Sequence, residues 1–363
     1  MHRKLYIIVC FLLLGVAGAF AQIRWYNPMD TVISSRLVHG QGWHEDGGNY
    51  FRLPLRAKEK VRKEVWNLAC QSAGLSLSFR TNASDIRVRY KVTGGHSMPH
   101  MPSTGVSGVD LYCMDDGGKM DFCFGSYSFA DTIQYTYRVE TDKSSLVNKD
   151  YILYLPLYNG VQWLEIGVPD NSVLTFIPKS DKKSIVLYGT SIAQGACASR
   201  PGMAWGNILG RLLHVPVINL GFSGNGKLET EVLDFVNEQE AIFYIFDCMA
   251  NLSECSADEV CGLVKKAVRQ IRMKNKTPIL LIEHAGYSNA CTDKRFYMAY
   301  TEPNRGQYRA YEELRNEGVK DLYYLSNAEL GFNPDSWVDY VHPSDWGMVQ
   351  QAEVVKKKIL EIK

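Results

Sequence analysis

Four short segments carry side chains that can cooperate in moving an acyl group. Ser191 lies in Gly189-Thr-Ser191-Ile-Ala-Gln-Gly195, directly after the apolar run Ile185–Tyr188. A serine just past a buried parallel strand stands where open α/β sheets keep their ligand crevice. Its hydroxyl is a weak nucleophile until a base takes the proton and donors hold the oxyanion. Thr190 and Ser191 are equally suited to capping the next helix. Asn219-Leu-Gly221-Phe-Ser-Gly224-Asn225-Gly226 follows the next apolar run, and its glycines let backbone N–H groups face a cavity or make a plain turn. In Asp247-Cys-Met-Ala-Asn251 the asparagine amide can donate to an oxyanion, or cap a helix. Asp339-Tyr-Val-His342-Pro343 supplies a base and, three residues before it, a carboxylate able to fix the base's tautomer. The same segment also suits a helix start, capped by Asp339 or Ser344.

These segments need elements to hold them. From Ser184 on, strand-like runs (Ile185–Tyr188, Val215–Asn219, Ala241–Phe246, Pro278–Glu283, Leu322–Leu325) alternate with helical patterns near Trp205–Leu213, Leu228–Asn237, Ala257–Met273, Tyr308–Glu317 and Asp345–Ile359. That alternation predicts a parallel sheet covered by helices on both faces. Before the polar stretch Lys179-Ser-Asp181 the pattern is different. Leu75–Phe79, Ile86–Val92 and Tyr151–Leu155 alternate in polarity, and Gly94-Gly95, Asp115–Gly118 and Pro169-Asp-Asn171 separate them. Short strands spaced this way predict an antiparallel sandwich of jelly-roll type. Arg87, Arg89 and Lys91 mark its solvated face.

At 363 residues, two such units are expected. A composition of 46% hydrophobic and 22% charged residues supports sizeable cores. The net charge of +1 and the lack of a basic run argue against nucleic acid as a partner. Residues 1–21 read as a signal peptide, with a basic start, an apolar core and Ala19-Phe-Ala21 before the cut, so export to the periplasm or medium without a membrane anchor is expected. Eight cysteines follow the cut. Cys113 and Cys123 flank a turn and can face each other, with geometry deciding whether they bond. There is no CxxC pair and the histidines are scattered, so a zinc site is not expected.

Together, and in this order, the four segments resemble the SGNH/GDSL hydrolases. Thr190 stands where many members have Asp, and Met249 and Leu252 stand where Gly and Asp are common. Gly105-Val-Ser-Gly108-Val-Asp110-Leu-Tyr112 resembles the Gly-x-Asp-Leu-Tyr motif of the β domain that precedes one exported bacterial subgroup. The resemblance implies a flavodoxin-like three-layer α/β/α hydrolase domain (181–363) after a jelly-roll-like β-sandwich (22–180).

It further implies a serine esterase that hydrolyses short acyl esters, acetyl groups on carbohydrates in particular. Ser191 is then the nucleophile, His342 the base and Asp339 its partner. Ser191 N–H, Gly224 N–H and the Asn251 amide form the oxyanion hole, and no metal or organic cofactor takes part. A lipid esterase, and a glycan-binding protein with a degenerate hydrolase domain, are the alternatives. Trp205, Tyr287, Trp337, Tyr340 and Trp346 are either sugar platforms or core. Arg200 and Asp110 are either site residues or ordinary loop residues, and Glu283 and His284 end a strand at the same rim.

Overall fold

The computed structural model describes residues 22–43, 49–115, 117–139 and 149–362; the expected signal peptide, residues 1–21, lies outside these. The amino-terminal part contains β1 (Ile23–Tyr26), β2 (Val38–His39), β3 (Ser76–Thr81), β4 (Asp85–Val92), β5 (Asp110–Met114) and β6 (Met120–Cys123). It continues with β7 (Gly125–Ser128), β8 (Ile133–Arg138), β9 (Lys149–Tyr154), β10 (Val161–Pro169) and β11 (Leu174–Phe176). Two short helices, α1 (Lys63–Ala69) and α2 (Ser103–Val106), interrupt the strands. One sheet runs β1-β10-β4-β8-β7 and the other β11-β3-β9-β5-β6, with β2 alongside β3. Their inner faces meet through Leu77, Phe79, Val88, Tyr90, Leu153 and Ile166, the core of a sandwich.

Polarity alternation sets the faces. In β4, Ile86, Val88 and Tyr90 point inward, while Arg87, Arg89 and Lys91 stand outside and pair with Asp85, Glu165 and Asp131. The β5–β6 register places Asp121 opposite Cys113 and Leu111 opposite Cys123. All eight described cysteines are free thiols.

The carboxy-terminal part is built on β12 (Ser184–Gly189), β13 (Val217–Gly221), β14 (Ala241–Asp247), β15 (Ile279–Ile282) and β16 (Leu322–Leu325). They form one parallel sheet in the order β13-β12-β14-β15-β16, the flavodoxin-like arrangement. The helices are α3 (Ser191–Gln194), α4 (Trp205–Leu213), α5 (Thr230–Val236), α6 (Ala257–Arg272), α7 (Lys294–Asn316), α8 (Asn327–Leu330) and α9 (Asp345–Ile362). Ile185 and Leu187 of β12 pack with α4 and α9, whereas Val186 and Tyr188 pack with α5, α6 and α7, so the strand is buried on both faces. Among the described residues, no helix is long and apolar enough to cross a membrane.

Two elements depart from the sequence pattern. α7 begins at Lys294 rather than near Tyr308, and Pro303 lies within it. The second departure is residues 49–73, which read as part of the sandwich. There Leu53, Val65 and Trp66 join Leu233, Phe235, Val268 and Ile271 in a core of the parallel-sheet half. Trp43 also meets Phe235 edge-on, with centroids 6.1 Å apart. Arg52, fully buried, donates to the carbonyls of Leu68, Gln71 and Gly221, so a cation from the first half supports the end of β13.

Candidate active site

Ser191 opens α3 immediately beyond β12, the strand flanked by β13 on one side and β14 on the other. This is the point where the strand order reverses and a crevice forms. Thr190 caps α3 by accepting from the Ile192 N–H, so the serine side chain is left out of the cap. Ser191 is 7% exposed, and its Oγ lies 3.0 Å from His342 Nε2. His342 Nδ1 lies 2.8 Å from Asp339 Oδ2. The other carboxylate oxygen, Oδ1, accepts from the N–H groups of Val341 and His342. Burial alone would raise the Asp339 carboxyl, but the His342 ring and these two N–H groups hold it below its ordinary value. An ionised carboxylate on Nδ1 leaves the Nε2 lone pair facing Ser191. Ser344, rather than Asp339, caps α9, its hydroxyl accepting from the Gly347 N–H.

The glycine segment wraps against this turn. A Cβ on Gly226 would stand 2.2 Å from the Gly189 carbonyl oxygen, a backbone approach only glycine allows. Gly224 has φ +69°, and its N–H has no hydrogen-bond partner among the described residues. The Ser191 N–H, at the first position of α3, has no intrahelical partner. Asn251 sits in a 3-10 turn, Met249–Asn251, after β14. Its Oδ1 accepts from the Gly226 N–H at 2.9 Å, which leaves the amide NH₂ free to donate.

Other sequence candidates stand outside the hydrogen-bonded line of Ser191, His342 and Asp339. Trp205 is core, and Trp337 packs edge-on against Phe332. Tyr287 stacks on Tyr340 at 5.8 Å, and Tyr340 and Trp346 are exposed. Glu283, directly after β15, is tied to the Tyr324 hydroxyl and the Asn327 N–H. His284 is buried; its Nδ1 accepts from the Gly286 N–H, so Nε2 carries the proton, without a partner among the described residues. Asp110 and Arg200 pair with each other across the two halves.

Sequence reasoning also missed residues around the site. His100, in the loop between β4 and α2, lies face to face with the His342 ring, centroids 5.6 Å apart. Tyr158 donates to the Ser191 carbonyl, and Gln194 links Gln71 to the Ser223 N–H. His100 and Tyr158 come from elements distant in sequence, with no local motif to signal them, whereas Gln194 lies in α3 beside Ser191.

The chain belongs to the GDSL-like lipase/acylhydrolase family, a family of ester hydrolases: that family matches residues 182–360, and the GxDLY amino-terminal domain of SGNH-type esterases matches residues 23–174. A protein from Bacteroides ovatus assigned as a GDSL-like lipase is 31% identical, with a TM-score of 0.84 over 94% of this chain and 98% of its own. The salicylyl-acyltransferase SsfX3 of a tetracycline biosynthetic pathway is 20% identical, with a TM-score of 0.71 over 94% and 97%. A family two carbohydrate esterase from Cellvibrio japonicus shares the fold at 11% identity, with a TM-score of 0.55 over 94% and 98%. No curated protein sequence matches the chain at a significant level.

Proposed function

We propose that the chain is an exported serine esterase removing short acyl groups, acetyl in particular, from carbohydrates. The hydrogen-bonded line from Ser191 Oγ through His342 to Asp339 carries this reading. Ser191 attacks the ester carbonyl while His342 Nε2 takes its proton, and Asp339 balances the imidazolium that forms. The tetrahedral oxyanion accepts from the N–H groups of Ser191 and Gly224 and from the Asn251 amide. His342 then protonates the departing alcohol. Water, deprotonated by the same ring, releases the acid and restores Ser191.

Two observations favour a saccharide as the alcohol. Tyr340 and Trp346, two and four residues from His342 in the chain, are 51% and 58% exposed, and such rings stack on the apolar faces of sugars. Carbohydrate esterases share the two-part architecture, which makes acetylated saccharides the first substrates to try. The test is acetate release from an activated acetyl ester by the mature chain and by Ser191→Ala. The expected loss is on the order of 10⁴-fold or more. Equal rates would remove Ser191 from the reaction. If long-chain acyl esters are cleaved faster than acetyl esters, the lipid reading replaces the carbohydrate one.

A further inference from the structure

His100, Cys197, Asp339 and His342 each present one donor atom, and the four atoms lie within 4.8 Å of one another. They come from three separate segments: the loop after β4, the loop after α3, and the turn before α9. In a tetrahedral zinc site with bonds of about 2.0–2.3 Å, neighbouring donors stand about 3.3–3.8 Å apart. Closing the cluster therefore needs shifts of no more than about 1–1.5 Å. Asp339 and His342 already hold each other by a hydrogen bond. The His100 ring lies nearly parallel to that of His342, 16° between planes, and the Cys197 N–H donates to the Pro343 carbonyl. Cys197 is buried while His100 is exposed, so one side of the cluster is open to solvent.

We propose that these four residues bind zinc, or a cation of similar softness, and that occupancy silences the esterase. Two imidazoles, a thiolate and a carboxylate suit zinc; magnesium and calcium prefer sets of oxygen donors. Binding releases the thiol proton, and the thiolate and carboxylate together neutralise the cation. If His342 ligates through Nδ1, its ring proton moves to Nε2. If it ligates through Nε2, that lone pair is occupied. Either way no basic nitrogen faces Ser191, and Asp339 no longer orients the ring. The silencing rests on the proposed triad, whereas the binding does not.

Both parts can be tested on the mature chain. Co²⁺ is titrated into Ser191→Ala, which reports binding independently of turnover. A near-ultraviolet thiolate-to-cobalt band is expected, displaced by Zn²⁺ and missing when Cys197→Ser is added. Separately, ester cleavage is followed against ZnCl₂, each protein referred to its own zinc-free rate. Micromolar zinc should inhibit the parent chain, with recovery on chelation and no effect of MgCl₂. His100→Ala and Cys197→Ser should each raise the inhibitory concentration by about tenfold or more. Absence of the cobalt band, or equal zinc sensitivity in the variants, overturns the proposal. A cobalt band in a protein without ester cleavage would keep the metal site and discard the esterase reading.

Discussion

A single carboxylate oxygen of Asp110, Oδ2, accepts from both the Arg200 guanidinium and the Gly202 N–H, each at 2.8 Å. The acid of the Gly-x-Asp-Leu-Tyr motif is thus a clamp from the sandwich onto the loop after α3. Tyr112 of the same motif accepts from Arg200 through its hydroxyl. The neighbouring Ser199 is bound to Asp345, the first residue of α9, so the loop connects the motif to the helix that follows His342. Burial pushes the Asp110 carboxyl up, and Arg200 pulls it down without cancelling the effect.

Asp110→Ala should therefore destabilise the folded chain by about 3–5 kcal/mol, because it leaves Arg200 without its counter-charge in a mostly dry site. Urea denaturation followed by fluorescence measures this. A change of less than about 1 kcal/mol would reduce the clamp to an ordinary surface pair.

Asn251→Ala removes the amide whose oxygen is held by Gly226. Its expected effect is a fall in kcat on the order of 10²–10³ with little change in KM, as for loss of one oxyanion donor. Steady-state kinetics on an activated acetyl ester decide it. A purely higher KM would place Asn251 in substrate binding instead.

Stability should respond to pH through two buried groups of opposite sign. Burial raises the Asp247 carboxyl to about 7, the contact with Gln351 opposing the rise. The folded chain keeps a proton that the unfolded chain releases near 3.8, so this contribution is full below that value and lost as pH rises through about 7. Burial, then the charge of His342, lowers His284 to about 3. Its contribution is full above 6.5, and is lost as pH falls from there toward about 3. One group changes stability by at most about 1.4 kcal/mol per pH unit. Asp247→Asn should remove the falling contribution between about pH 4 and pH 7, so that denaturation midpoints rise more steeply with pH there than in the parent, and parallel profiles would refute the assignment.

A fragment starting at Lys182 should fail to fold cooperatively. It lacks Leu53, Val65, Trp66 and Arg52, which complete the core and support the end of β13. Each large apolar side chain withdrawn is worth about 1.5–3 kcal/mol, against a net stability of roughly 5–15 kcal/mol. Circular dichroism and thermal melting of the fragment beside residues 22–363 test this, and a sharp native-like transition in the fragment would contradict it.

What the sequence made legible follows from physical range. β12 and β16 were readable because a strand buried on both faces is a continuous apolar run. β13 starts at Val217 rather than Val215, since Pro216 has no N–H to give the ladder. The first half of α7 carries polar residues with Pro303 and Gly306, so its period was too weak to read. Asp339 and His342 are close in the chain, which made their pairing readable. His100 and Cys197 were not: the packing of the sandwich on the sheet brings His100 to His342, and the fold of the parallel-sheet half brings Cys197 there from far away in the chain. Residues 49–73 failed for the same reason: α1 is seven residues long, and its partners lie well over a hundred positions away.

Arg52 and the apolar side chains around it also bear on how the chain is made. During synthesis the first half emerges with Trp43, Leu53 and Trp66 already formed but without Leu233, Phe235 and Ile271 to cover them. The ribosome must add more than half of the polypeptide before these surfaces close. Until then the nascent chain presents a greasy belt to its surroundings, a window in which aggregation competes with folding. This core can close only after α5 and α6 have been added to the chain.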